Sequence, residues 1–579
     1  MKKTTATLVF LILLAWVFQP AMPAHARYPY ATSAHTQDQA TTSAATADPA
    51  AEAKRLVEKF EGTDTPGGVI TVMRDGQIIF THAFGMANLT HAIPFQTTTP
   101  TNIGSTSKQF TAFAIALLEE RELLSLDDDI RKYIPELPDL SHTVRLKHLI
   151  SHTSGYREYL NSFAMTGRSL NDQLRRAEIV PLVQRQPELQ NEPGAAWLYN
   201  NTGYALLAMV VEKVSGESFP DWMKENIFEP LGMHHTRVRD YPTRIIPGSA
   251  QGYVPSPDNS FFEIQDIHAA MGAGGIYTTI GDLAIWVNNF FEPRLGSPDL
   301  MQKMQNPFVL NNGEPTNYAL GLIVDEFAGL KRIQHGGADA AHRSQLYIFP
   351  EIRGAVITQS NHAGFPGNTA DKLAELFFTD TRDVATAAEP GASAGFAFDP
   401  EKFDDFAGRY ELEAAPGFIL EFTRENDKLF TQATGQPKFE IFASSDSTFY
   451  LTVVEASMTF HRNEEGEVDA MTLHQNGNHR ANRILEPKWG PSEEDVAQYL
   501  GRYFSEELET FYEIARNEEG KLVLQHRRLP DIPLNAEKAD LFNGGFPVTE
   551  ITFMRNEAGI VTGFQASSGR SFGILFVKQ

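Results

Sequence analysis

The sequence predicts an α+β domain, an antiparallel sheet flanked by helices, followed by two small all-β, barrel-like domains. Three observations predict it. Hairpin signals stand near both ends of the first two thirds of the chain, with helical segments between them. An Ala-, Gly- and Ser-rich stretch, Val384 to Gly395, then interrupts the globular pattern and reads as a linker. Beyond it the chain repeats itself at a fixed offset.

The elements follow in chain order. Lys2 and Lys3 precede the apolar run Ala6 to Val17, and Ala24-His25-Ala26 supplies small residues for cleavage, so residues 1–26 read as an export signal. The apolar run is too short to span a membrane, and no later stretch approaches the ~20 apolar residues that a span requires. Residues 27–50, rich in Ala, Thr and Ser, read as a disordered spacer. The α+β domain is expected at 51–385. Val69 to Val72 and Gln77 to Phe80 predict strands joined across Arg74-Asp75-Gly76. Phe110, Phe113, Ala114, Leu117 and Leu118 recur at helical spacing, and the apolar residues between them make this a buried helix. Leu346 to Phe349 and Ala355 to Thr358 predict a second hairpin, closed by Pro350 to Gly354. The linker is placed at 386–399, and the β-domains at 400–488 and 490–579.

The two β-domains are predicted from a repeat. Gly408-Arg409-Tyr410 recurs as Gly501-Arg502-Tyr503, Lys428-Leu429 as Lys521-Leu522, and Arg462-Asn463-Glu464 as Arg555-Asn556-Glu557, always 93 residues on. Both copies alternate apolar and polar residues between short turn signals, the pattern of small barrels or sandwiches.

Composition narrows the function. A net charge of −24, or −26 once Lys2 and Lys3 are removed, argues against nucleic acid or an anionic membrane as the partner. With no cysteine, disulfides and thiolate catalysis are excluded. His234-His235 lacks a carboxylate partner at metal-site spacing and reads as a turn, and Asp127-Asp128-Asp129 lacks the full ligand pattern of a Ca²⁺ loop. No metal and no cofactor is expected. His152 is expected to pack structurally.

The chemistry concentrates elsewhere. Ser105-Thr106-Ser107-Lys108 is the chain's one Ser-x-x-Lys, and it opens the buried helix. Residues three apart share a helix face, so the Lys108 amine can reach the Ser105 hydroxyl. A serine is a poor nucleophile until a base takes its proton. A lysine serves as that base only if burial or nearby positive charge lowers its pKa. Tyr199-Asn200-Asn201 follows Pro193-Gly194, where a tyrosine can relay protons and an asparagine can bind an amide. His335-Gly336-Gly337 precedes a strand, and its glycines permit close approach of a substrate backbone. Arg343, Gln345 and Tyr347 share one strand face. If that face meets the cleft, Arg343 recognises a substrate anion; otherwise it pairs with Asp339 or another acid of this acidic chain.

Together and in this order, the three motifs resemble the signature of the serine β-lactamase and penicillin-binding family. The nearest branch is the class C-related one, which includes D-alanine carboxypeptidases, D-aminopeptidases and esterases. Leu124 to Asp128, Leu146-Lys147-His148-Leu149-Ile150-Ser151-His152-Thr153-Ser154-Gly155, Gly272 to Tyr277 and His335 to Pro350 extend the resemblance over about residues 55–380. The resemblance implies that Ser105 is acylated, that Lys108 and Tyr199 share the acid–base work, and that Asn201 contacts the substrate amide. It places the oxyanion hole at the N–H groups of Ser105 and Ala338. His335 stands where classical β-lactamases carry a lysine, which disfavours antibiotic hydrolysis.

The expected function is an exported, periplasmic or secreted serine hydrolase acting on a small peptide, amide or ester. Short peptides with D-residues come first, because the D-aminopeptidases of the branch resemble this layout of a catalytic domain followed by two β-barrels. An esterase or β-lactamase is the alternative. A non-catalytic penicillin-binding-like or envelope-binding protein is the alternative from a different class.

Overall fold

A computed structural model describes residues 48–378, except 170–171, 257, 259 and 267–270, and residues 398–579, except 414–417, 427, 434–437, 452–455, 464, 475–477 and 485–489. The export signal, most of the spacer and most of the linker lie outside the described residues.

Helix α1 (Pro49–Val57) begins inside the expected spacer. Asp48 caps it by accepting from the Ala50 N–H, and Pro49 at its first position lacks the donor that the first turn leaves unpaired. The central sheet is antiparallel, with six strands: β1 (Gly68–Arg74), β2 (Gln77–Phe84), β3 (Ile323–Phe327), β4 (Leu330–Asp339), β5 (His342–Phe349) and β6 (Gly354–Ser360). Their spatial order is β3-β4-β5-β6-β1-β2. Both predicted hairpins are present. In the first, Asp75 and Gly76 both take positive φ (52° and 75°), the turn whose twist suits paired strands.

The sheet buries both faces. Ile70, Val72, Tyr347, Phe349 and Val356 pack against α1 and helix α6 (Thr369–Phe378). Val69, Met73, Leu346, Ile348 and Ile357 face the larger core around α2 (Lys108–Glu120), α3 (Tyr159–Met165), α4 (Asn201–Ser215) and α5 (Ile280–Phe291). Helix α2 is buried from Lys108 through Leu118, so a lysine sits inside the core.

The sequence repeat is also a repeat of contacts. The strands between Gly408–Leu412 and Asn478–Ile484 form a closed eight-stranded barrel around Tyr410, Phe422, Phe449 and Phe460. The strands from Gly501–Ser505 to Ser571–Lys578 form a nine-stranded, nearly closed sheet. The Tyr410 hydroxyl donates to the Phe406 carbonyl at 2.9 Å, and Tyr503 donates to Tyr499 at 2.7 Å. Arg462 donates to the Gly466 carbonyl, and Arg555 to that of Gly559. Two elements escaped the β-only reading, the first a 3-10 helix, Pro400–Asp405, that opens the first copy. Helix α7 (Glu493–Tyr499) opens the second copy, with Ser492 and Asp495 forming a reciprocal capping box.

The two copies are placed differently. The barrel encloses its own core, whereas the last domain merges with the catalytic core. Tyr512 donates to the Met165 carbonyl at 2.9 Å, and Ser571 Oγ donates to the Glu158 carbonyl at 3.0 Å. Arg157 and Glu507, 4% and 7% exposed, meet at 3.2 Å. Such a pair is held by geometry, because burial charges both groups a desolvation cost.

Candidate active site

Ser105 lies in a 3-10 turn, Gly104–Ser107, that runs directly into α2. Gly104 takes φ +48°, and a Cβ there would lie 2.6 Å from the Ala338 backbone nitrogen. Glycine is therefore required twice over, by the left-handed conformation and by the closeness of β4. Gly337 shows the same contact from the other side, since its Cβ would meet the Ile103 carbonyl at 1.9 Å. Of the two glycines in His335-Gly336-Gly337, Gly337 thus admits the protein's own nucleophile segment, where a substrate backbone was expected. At Gly336 a Cβ would meet the Gln345 side chain. Thr106 stitches the same junction, with its Oγ1 2.8 Å from Ser344 Oγ and donating to the His335 carbonyl at 3.2 Å.

One turn on, the Lys108 amine meets three oxygens: Ser105 Oγ at 3.1 Å, Asn201 Oδ1 at 2.7 Å and the Ala273 carbonyl at 2.8 Å. Two of these partners are carbonyl oxygens, which only accept. They hold two N–H bonds, and the remaining direction points at Ser105. Burial lowers the Lys108 pKa from 10.5 to about 7; Glu158 and Asp339 raise it and Arg570 lowers it, as secondary effects. The amine is therefore substantially neutral near pH 7, with a lone pair available to Ser105.

Tyr199 packs its ring 4.8 Å from the Lys108 amine. Its hydroxyl is buried without a well-formed hydrogen bond. Burial pushes the phenol pKa up, and the nearby Ser105 hydroxyl only partly offsets this. Tyr199 keeps its proton where Lys108 loses one. The His152 ring packs at a tilt against Tyr199, with ring centroids 4.2 Å apart, and its Nδ1 accepts from the Asn200 N–H at 3.0 Å.

Asn200 caps α4 by accepting from the Gly203 N–H, which sets Asn201 at the first helical position. Asn201 lines the cleft, yet its amide is already engaged. Oδ1 takes Lys108, while Nδ2 and the backbone N–H donate to Glu158 at 3.2 and 2.6 Å. Its side chain orients the lysine before it can touch a substrate amide.

His335 is buried and does not line the cleft. Its Nδ1 faces the Gly336 carbonyl at 2.6 Å and must donate, so Nε2 accepts from the Tyr318 hydroxyl at 3.0 Å. Burial, aided by Lys108, lowers its pKa to about 3. A neutral histidine cannot replace the carboxylate-binding charge of a lysine.

Arg343 is a correction. Residues paired directly across antiparallel strands share a face. Gly337 pairs with Ser344 and His335 with Leu346, which puts the even positions of β5 on the side of Ser105. Arg343 lies on the opposite face, with Tyr347 and Phe349, and donates to the His342 carbonyl at 2.8 Å. It meets neither the cleft nor Asp339 in an ion pair.

Four groups were not singled out from sequence. Glu158 holds Asn201, the Ala273 carbonyl holds Lys108, Tyr318 holds His335, and Arg570 comes from the last domain. The Arg570 guanidinium lies 5.3 Å from the Tyr199 ring centroid and 4.0 Å from Glu158 Oε2. The cleft beside Ser105 is lined by Gly104, Tyr159, Asn201, Ala273, Ala338 and Asp339, among others.

Comparison with known proteins shows the family. The beta-lactamase family model matches residues 53–378, and a domain of unknown function, DUF3471, matches 397–485. Penicillin-binding protein 4* of Bacillus subtilis is 28% identical over 416 residues, 69% of this chain and 90% of the relative. A D-aminopeptidase of Cereibacter sphaeroides is 28% identical over 373 residues, 64% of this chain and 70% of the relative. The octameric penicillin-binding protein homologue from Pyrococcus abyssi shares the fold, with a TM-score of 0.52 at 21% identity over 75% of this chain and 99% of that one.

Proposed function

The chain belongs to the β-lactamase family, as a serine hydrolase of that family, and on this premise we propose that Ser105 is its acylated nucleophile, with Lys108 the base and Tyr199 the proton donor. The observation that carries the assignment is the Lys108 amine, buried, with two N–H bonds pinned and its third direction on Ser105.

The steps follow from the protonation states. Neutral Lys108 takes the Ser105 proton as Oγ bonds to the substrate carbonyl carbon. The carbonyl electron pair moves to oxygen, where the N–H groups of Ser105 and Ala338 stabilise it. The tetrahedral intermediate collapses, the bond to the leaving group breaks, and Tyr199 protonates that group. Lys108 returns a proton to Tyr199. Water then attacks the acyl-serine by the same route, releasing the acid and restoring the Ser105 hydroxyl.

Short peptides or amides bearing D-residues are the substrate class, supported by the D-aminopeptidase relatives and by the absence of a cation on His335. Export to the periplasm or medium follows from the N-terminal Lys2-Lys3, apolar run and Ala-x-Ala pattern. The test is labelling by a fluorescent fluorophosphonate, with turnover measured in parallel. Wild type is expected to label and Ser105→Ala to lose both labelling and at least 99% of turnover with its fold intact, a loss typical of a missing nucleophile. Retention of more than a tenth of the activity sinks the assignment. A folded wild type that neither labels nor turns over favours a binding protein.

A further inference from the structure

Asp339 stands at the end of β4, two and four residues beyond Gly337 and His335, on the face that carries both. It lines the same cleft as Ser105, and it is the charged side chain among the residues lining it. Its surroundings leave it short of a cation. Oδ2 accepts one neutral donor, Asn102 Nδ2, at 3.0 Å. The basic side chains nearby are committed elsewhere: Lys108 acts on Asp339 only through space, its amine being held by Ser105, Asn201 and Ala273. Arg239 pairs with Asp266 at 3.0 Å, Arg343 lies on the far face of the sheet, and His335 is neutral. Among the described residues no basic group forms an ion pair with Asp339.

A desolvated carboxylate beside a second one is costly unless it is protonated or paired. Burial, with Asp266 adding to it, pushes the Asp339 pKa well above the carboxylate range. Asp266 pairs with Arg239 through Oδ2, which also accepts from the Tyr277 hydroxyl at 2.6 Å and from the Asn102 amide at 3.0 Å. Asp339 lines the cleft together with Ser105, whose oxygen attacks the substrate carbonyl.

We propose that Asp339 is the anchor for a substrate ammonium group, which fixes the preferred acyl donor as an aminoacyl compound with a free amine. The proposal rests on the serine acyl-hydrolase reading and adds to it the substrate's charge. An amine on the carbon next to the scissile carbonyl reaches a carboxylate on the cleft wall while the carbonyl carbon faces Ser105. An N-blocked or desamino acyl group leaves Asp339 unpaired.

The experiment compares D-alanyl p-nitroanilide with propanoyl p-nitroanilide, which differ only in the ammonium, on the full chain and on Asp339→Asn. Wild type is expected to favour the D-alanyl compound at least tenfold in kcat/KM, the scale of a charge-assisted hydrogen bond. Asp339→Asn should lose that preference, falling at least tenfold on the D-alanyl compound and less than threefold on the propanoyl one. Equal losses overturn the proposal. They would mean that Asp339 acts through Asn102, whose Oδ1 accepts from the Gly104 N–H at 2.8 Å and so braces the nucleophile turn. A wild-type preference near unity also overturns it, whether or not the variant folds. Loss of fluorophosphonate labelling at Ser105 in wild type sinks the acyl-hydrolase reading itself, a separate outcome.

Discussion

Glu158→Gln should move the acid limb of the rate profile to lower pH. Glu158 is fully buried, and the Asn201 amide spans the gap from it to Lys108 with contacts of 3.2 and 2.7 Å. Given the span of one amide, the two charges stand no more than about 8 Å apart. At an effective dielectric of about 20, that separation is worth ~2 kcal/mol, or about 1.5 pKa units. The carboxylate stabilises the Lys108 ammonium, so its loss lowers the lysine pKa from about 7 and leaves more neutral amine at a given acidic pH. Glutamine keeps an oxygen able to accept from the Asn201 N–H. The assay is kcat/KM for propanoyl p-nitroanilide from pH 4 to 9, because this substrate does not titrate and the profile reports the free enzyme. The midpoint should fall by about 1–1.5 units. Arg570→Ala provides the opposite sign, since Arg570 lowers the lysine pKa and its removal should raise the midpoint. A purely architectural Glu158 would lower the rate without shifting the limb. An unmoved or rising midpoint in Glu158→Gln, in a folded protein, refutes the argument.

Two further outcomes follow from the geometry. Arg343→Met should change kcat/KM for peptide acids and neutral esters by the same factor, because Arg343 lies behind the sheet; a selective loss of at least tenfold on the acids would return it to the cleft. Truncation after residue 390 should give aggregated or unfolded protein by size exclusion and circular dichroism, since it strips from the catalytic core the partners of Met165 and Arg157; a monodisperse, fluorophosphonate-reactive truncate would contradict this.

Much of this was legible in the sequence. Both hairpins, the buried helix and the repeat follow from periodicity and turn chemistry, which are local. Ser105 and Lys108 were readable because helical spacing alone brings them together. Glu158 was not, because its meaning depends on α3 meeting the start of α4, a contact across more than forty residues. Arg343 misled because strand alternation fixes which residues share a face and is silent on which face meets the cleft. The glycines of β4 were read as room for a substrate backbone, whereas Gly337 makes room for Ile103, more than two hundred residues away in sequence, and Gly336 for the Gln345 side chain. Helix α7 was missed because it is short and follows Pro491, where a turn reads equally well.

The repeat explains why, among the described residues, the last β-domain shares the catalytic core and the first keeps its own. At the constant offset of 93, the docking residues Glu507, Tyr512 and Arg570 correspond to Ala414, Ile419 and Gly477 in the first copy. The framework contacts survive in both copies, as Tyr410 and Tyr503 attest. The carboxylate facing Arg157, the hydroxyl facing Met165 and the guanidinium beside Tyr199 are present in the second copy alone. These substitutions separate an architecture common to both copies from contacts made by one. One of those contacts reaches the base: Arg570 lies 4.0 Å from Glu158, and the balance of the two charges helps set the Lys108 pKa. The proton affinity of the base is thus tuned in part by a domain whose first strand begins almost four hundred residues after Lys108. Undocking that domain should therefore change how the enzyme responds to pH as well as which substrates enter, and any account of its specificity has to include the last ninety residues of the chain.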